Sequence, residues 1–191
     1  MNRQEAYETL LGLIKNENLI KHHLACEAAM KSLYKKLTPK NMQNPQDEEK
    51  WGIVGLLHDA DYELSKNHPE KHTLILEEKL RGKIDPKIMY AIKSHNWKNN
   101  NVPPKSMLDW SIFCSDELTG LIIAAALVHP DKKLSSLDLD FVVKRFNESS
   151  FAKGADREQI KFCEKELSIS LNEFIELTLT SMQQIAPSLG L

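Results

Sequence analysis

An all-α fold is predicted for this chain of 191 residues. Apolar residues recur at helical spacing through most of it, and strand-type alternation is nearly absent. Cap residues and prolines cut the chain into helix-length pieces. A chain of this length fits one domain with a sizeable core. The reading is a single domain over 1–191, with a core over about 18–128 and a C-terminal helical extension over about 129–191.

The elements follow in order. A first helix is predicted over Arg3 to Ile14 and a second from about Leu19 to Leu37. Thr38-Pro39 ends the second, because proline lacks an amide donor and disfavours helix before it. Lys40 to Gln46 reads as a polar loop. A third helix starts near Asp47 and ends at His58-Asp59. Pro69 opens a fourth, which carries His72. Asp85-Pro86, a cap followed by a first-turn proline, opens a fifth that ends at His95. Asn99 to Pro104 is a loop that can close over a ligand. A long apolar helix runs roughly from Ser106 to Val128 and stops before Pro130. Short helices cover about Asp138 to Asn147 and Asp156 to Leu167. Ser170-Leu-Asn-Glu173 reads as a capping box for a last helix ending near Pro187.

Bulk properties exclude some functions. A hydrophobic fraction of 41% and a formal charge of −2 give no reason to expect nucleic-acid or membrane affinity. The N-terminus breaks its apolar pattern with charges, which argues against a secretory signal. The most apolar run, Leu118 to Val128, is far shorter than the ~20 residues of a membrane span. Cys26, Cys114 and Cys163 are odd in number and widely spaced, and read as buried thiols in a cytoplasmic protein.

Ligand-type residues stand on apolar helix faces. His22 shares a stripe with Cys26, Ala29, Leu33 and Leu37. His23 is turned about 100° away, toward Glu27 and Lys31, so His22 and not His23 is expected inside. Trp51, Val54 and His58 share a face of the third helix, with Asp59 at its end. On the long helix Asp116 falls among Leu108, Ile112, Ile123 and Leu127. Glu117 has similarly apolar surroundings, and periodicity does not choose between the two. A histidine or carboxylate facing a core is costly unless it is paired or coordinated, and a divalent metal satisfies several at once.

His22, the His58-Asp59 pair and Asp116 resemble, in that order, the H…HD…D pattern of the HD-domain metal-dependent phosphohydrolases. The segments LIKHHLACEAAM, WGIVGLLHDADYE, HPEKHTL, AIKSHN and SDELTGLI are similar to small bacterial members of that family, over about Asn18 to Leu127. Ala60 follows the pair where many relatives carry isoleucine or leucine. The resemblance implies an HD-type helical bundle holding an ion on His22, His58, Asp59 and Asp116. Two imidazoles and two carboxylates suit Mn, Fe, Co, Ni or Zn. Several branches add two histidines between the HD pair and the last aspartate. His72 and His95 match them in order, which implies a second ion with Asp59 bridging. With one ion, they would instead bind or protonate phosphate.

The activity so implied is hydrolysis of a small phosphate ester, a nucleotide among the expected substrates, by metal-activated water. Asp61 and Glu63 are candidates for general base or for orienting the attacking water, and equally for supporting partners. Lys93 and Lys98, with Arg145, Lys153 and Arg157 from the extension, are the candidate phosphate anchors. Trp97 is either a stacking surface for a base or a packing residue. His68 and His129 read as surface residues. Some relatives with the extra histidines use O2, so a di-iron oxygenase is an alternative. A non-catalytic metal-containing nucleotide-binding module is a third. Oligomeric state is not legible.

Overall fold

A computed structural model describes all 191 residues. It is all-helical, with α1 (Arg3–Leu13), α2 (Glu17–Leu37), α3 (Pro45–Leu57) and α4 (Tyr62–Ser65) in the first third. α5 (Leu74–Lys79), α6 (Pro86–His95), α7 (Trp97–Asn100) and α8 (Met107–Val128) follow. α9 (Leu139–Asn147), α10 (Arg157–Glu166), α11 (Leu171–Gln184) and α12 (Ala186–Leu189) form the C-terminal extension.

Capping chemistry sets most boundaries. Asn2 and Ser106 close full capping boxes on α1 and α8, and Asp85 accepts from the Lys87 amide ahead of α6. Asn44 and Pro45 start α3 two residues before the Asp47 start expected from sequence. The helix expected from Pro69 does not form as one piece. Pro69–Lys71 is a single 3₁₀ turn, His72 is non-helical, and Thr73 adopts φ 73° before α5 begins. The expected loop after His95 contains the short helix α7. Ser170 caps α11 through the Glu173 amide, and Pro187 lies inside the following turn, α12.

α2 and α8 form the centre. α2 packs most extensively on α3 and also on α8 and α11, while α8 touches α3, α6, α9 and α10 as well. The α2–α3 crossing is close because Gly55 has no side chain. A Cβ there would lie 2.5 Å from the Cys26 carbonyl oxygen and 2.7 Å from the Glu27 nitrogen. This approach sets the end of α3, and with it His58, against the His22 turn of α2. One continuous core of 39 buried residues runs from Ala6 to Leu189 and takes in Phe146, Ile160 and Phe174 of the extension.

The apolar stretch of α8 is longer than the Leu118–Val128 run. Its 22 residues are long and apolar enough, by length and composition, to cross a membrane. Ile112, Phe113, Leu118, Leu121, Ile122, Ala125 and Ala126 are nevertheless buried within the bundle, which accounts for that composition. The three cysteines are buried and unpaired, as expected.

Candidate metal centre

Four helices and one non-helical stretch bring six side chains to one point. His22 comes from α2, His58 and Asp59 from the end of α3, His95 from the end of α6 and Asp116 from the middle of α8. His72 arrives on the non-helical stretch after the 3₁₀ turn. The imidazoles all present Nε2. His22 and His58 bring these atoms within 3.1 Å of each other, and His72 and His95 within 3.0 Å. Asp116 Oδ1 lies 3.1 Å from His22 Nε2 and 3.4 Å from His58 Nε2. Asp59 divides its oxygens. Oδ1 is 2.9 Å from His72 and 3.1 Å from His95, while Oδ2 is 3.8 Å from His58.

The opposite ring nitrogens identify the tautomers. His58 Nδ1 meets the Gly55 carbonyl at 2.8 Å, and His95 Nδ1 meets that of Ile92 at 2.5 Å. A carbonyl only accepts, so both Nδ1 atoms carry the proton. His72 Nδ1 donates to Asp61 at 2.7 Å. The Thr119 hydroxyl gives its proton to the Asp116 carbonyl at 3.0 Å and thus accepts from His22 Nδ1 at 3.3 Å. Each neutral ring therefore aims a bare Nε2 lone pair inward. Lone pairs 3 Å apart repel, and two carboxylates beside them add negative charge. Positive charge among them reverses the balance.

The titration behaviour agrees. Burial raises the cost of ionising Asp59 and Asp116, yet the surrounding imidazoles hold both far below the ordinary carboxylate range. Burial opposes charging the histidines, but Asp59 and its neighbours outweigh it. His58 is raised to about 9 and His72 to about 10. His23 goes the other way. It is fully buried, neither ring nitrogen has a partner, and burial and the His58 charge push it well below its ordinary value. The expectation that His23 faces outward is thus corrected. The α2 turn is enclosed on both sides, and Glu27, on the same stripe as His23, is buried too, paired with Arg3 and Lys31.

The donor set fits a divalent transition metal: imidazole nitrogens and carboxylate oxygens, each ring oriented from behind by an acceptor. Two groupings have the spacing for an ion: His22, Cys26, His58 and Asp116, and Asp59, His72 and His95. Cys26 lies one turn beyond His22, with Sγ 3.9 Å from Nε2 and 3.2 Å from the Thr119 hydroxyl.

A cavity of about 270 Å³ opens beside the cluster, lined by Asp59, Asp116, His72 and His95, and also by Glu117, Lys66 and Lys98. Glu117 is raised to about 7 by burial and by the Asp116 charge, and it accepts from the Asp156 amide at 2.9 Å. The two acidic neighbours on α8 therefore both reach the site.

Several predicted site residues do other work. Asp61 is fully buried and accepts from His72, from the Thr73 amide at 3.1 Å and from the Leu76 amide at 2.9 Å. It caps α5 and orients His72, and its side chain is closed to solvent. Glu63 accepts from the Lys15 amide at 2.7 Å, outside the cavity. Lys93 pairs with Glu77 along a different groove. Arg145 pairs with Glu148 and covers the Phe141 and Phe151 rings. Lys153 is exposed in the loop before α10. Arg157 donates to the carbonyls of Phe146, Glu148, Phe151, Ala152 and Ala155, so its guanidinium ties that loop together. Of the five expected anchors only Lys98 lines the cavity, in an ion pair with Asp156. Trp97 packs against Trp110 and Phe113. His68 is exposed, while His129 is mostly covered and packs on Phe141.

Other site residues were not foreseen. Thr119 sits one turn after Asp116, a spacing that marks it in retrospect. Lys66, Asn96 and Gln159 carry no pattern of their own, and only folding brings them to the cavity. No protein-family model, curated protein or solved structure matches the chain.

Proposed function

We propose that the chain is a metal-dependent phosphohydrolase of the HD type, acting on a small phosphate ester. The observation that carries this reading is the inward convergence of four Nε2 atoms on Asp59 and Asp116 beside a cavity with lysines on its wall. Divalent ions held on these six side chains would supply positive charge for phosphoryl oxygens and lower the pKa of water. The split of the Asp59 oxygens supports two ions, with His22, His58 and Asp116 on one side and His72 and His95 on the other.

The remaining residues divide the other tasks. Lys66 and Lys98 offset phosphate charge at the rim. The oxygen of water bonds to phosphorus, the bond from phosphorus to the ester oxygen breaks, and that oxygen takes a proton. Glu117 is the carboxyl group on the wall that the histidines do not occupy, so it stands as the proton donor. It recovers its proton from the attacking water, and the second water proton stays on inorganic phosphate.

Elemental analysis of protein purified without chelator, followed by phosphate release from p-nitrophenyl phosphate, tests the reading. Bound transition metal with metal-dependent release is expected; metal-replete protein that releases no phosphate overturns it. The carboxylate facing both groupings also suits a di-iron oxygenase. Oxygen uptake after anaerobic iron loading, without phosphate release, would select that second reading.

A further inference from the structure

The cavity wall opposite this chemistry has its own pattern. Of thirteen lining residues, Tyr62 and Pro69 provide the only nonpolar or aromatic surface apart from the imidazoles. The Tyr62 ring stands edge-on to His72 at 89° and is half exposed, so it offers at most one rim face. The other aromatic group in this region, Trp97, is turned into the Trp110–Phe113 cluster. A nucleobase has no slot between two flat faces here, which is how proteins usually hold one.

Two side-chain amides on this wall keep their carbonyl oxygens free, and the hydrogen-bond chain orients them. Asn96 Nδ2 donates to the Pro69 and His72 carbonyls, which leaves Asn96 Oδ1 to accept from Asn99 Nδ2 at 2.7 Å. That commits one N–H of Asn99 and leaves its Oδ1 and the second N–H for a ligand. Gln159 is 5% exposed, and its Nε2 donates to the Phe113 carbonyl at 2.8 Å. Its Oε1 and its second N–H are likewise without a partner. Amide groups that each offer an acceptor and a donor suit hydroxyl groups, which donate and accept at once.

We propose that the substrate is a phosphorylated polyol or sugar, without a nucleobase, whose hydroxyl groups donate to Asn99 Oδ1 and Gln159 Oε1. This rests on the phosphohydrolase reading and replaces the nucleotide expected from sequence. Manganese-loaded protein is assayed with p-nitrophenyl phosphate, ribose 5-phosphate and adenosine 5′-monophosphate. The last two share a phosphorylated ribose and differ by the base. Ribose 5-phosphate is expected to have the higher kcat/KM, by at least about tenfold. Equal or better turnover of the nucleotide overturns the substrate class and leaves the hydrolase standing. No release from any of the three overturns both. Gln159→Leu should raise KM for ribose 5-phosphate about tenfold with kcat less affected. Because Gln159 also ties α10 to α8, Asn99→Leu on the exposed side of α7 provides a second variant with the same expected effect. An unchanged KM in Asn99→Leu, with circular dichroism like the parent, counts against the proposal.

Discussion

The inner wall of the cavity and its rim are built from different backbone. His22 and Asp116 stand on helices of 21 and 22 residues, and His58 ends one of 13. Those helices are locked into the core by the Gly55 crossing and by the α8 contacts. The rim comes from the 3₁₀ turn at Pro69, the four-residue α7 and the start of α10. Its residues hold one another through side-chain bonds, such as Asn99 to Asn96 and Lys98 to Asp156. Rigid helices thus position the charged cluster, and short exposed segments shape what can approach it. Changes to the inner wall should cost metal, fold or turnover, while changes to the rim should alter KM.

The largest effect is expected at Asp59. Asp59→Ala should lower phosphate release by about 100- to 1,000-fold or more, with bound metal lost and far-ultraviolet circular dichroism preserved. Retained turnover would break the inner-wall side of the comparison. Gly55→Val is expected to destabilise the fold by about 3 kcal/mol, because the Cys26 and Glu27 backbone must move. Urea unfolding measures this, and an unchanged midpoint would show that the crossing tolerates separation. Asp61→Asn should weaken metal binding about 10- to 100-fold by releasing His72, and lower stability as well. Competition with a chromophoric chelator reads the affinity. Were affinity unchanged, Asp61 would serve α5 alone.

On the rim, Lys66→Ala should raise KM for a phosphate ester about tenfold and change metal content little. A fall in metal content would erase the distinction between the walls. The smallest effect concerns acidity. His58 and His72 are raised to about 9 and 10, above the ordinary imidazole value of 6.5. In chelator-treated protein their contribution to stability is complete below pH 6.5 and is lost as pH rises through 9 to 10. Its thermal midpoint should therefore fall over that interval, and added manganese should flatten the fall. A midpoint that rises with pH would contradict the placement of these rings between carboxylates.

Asp85-Pro86, Ser106 and Thr38 marked helix ends in the sequence because capping and proline chemistry act within a few residues. His22 and His58 were legible as inward-facing for a similar reason, since helical spacing repeats over short range. The segment around His72 was not. Pro69 is a sound opening signal, but Asp61, eleven residues before His72, accepts from that ring's Nδ1, from the Thr73 amide and from the Leu76 amide of α5. That pull ends the 3₁₀ turn and puts Thr73 at positive φ. Whether Asp116 or Glu117 reaches the site was open on periodicity, and the structure brings both there.

Sequence alone determined the helical class, most helix boundaries and the residue types that gather at the centre, because caps, prolines and apolar stripes act locally. Tertiary structure decided which polar groups remain free. It enclosed His23, consumed Asp61, Glu63 and Arg157 in backbone bonds, and carried Lys66, Asn99 and Gln159 to one cavity. A side chain's availability depends on partners distant in the chain, and no local pattern records them.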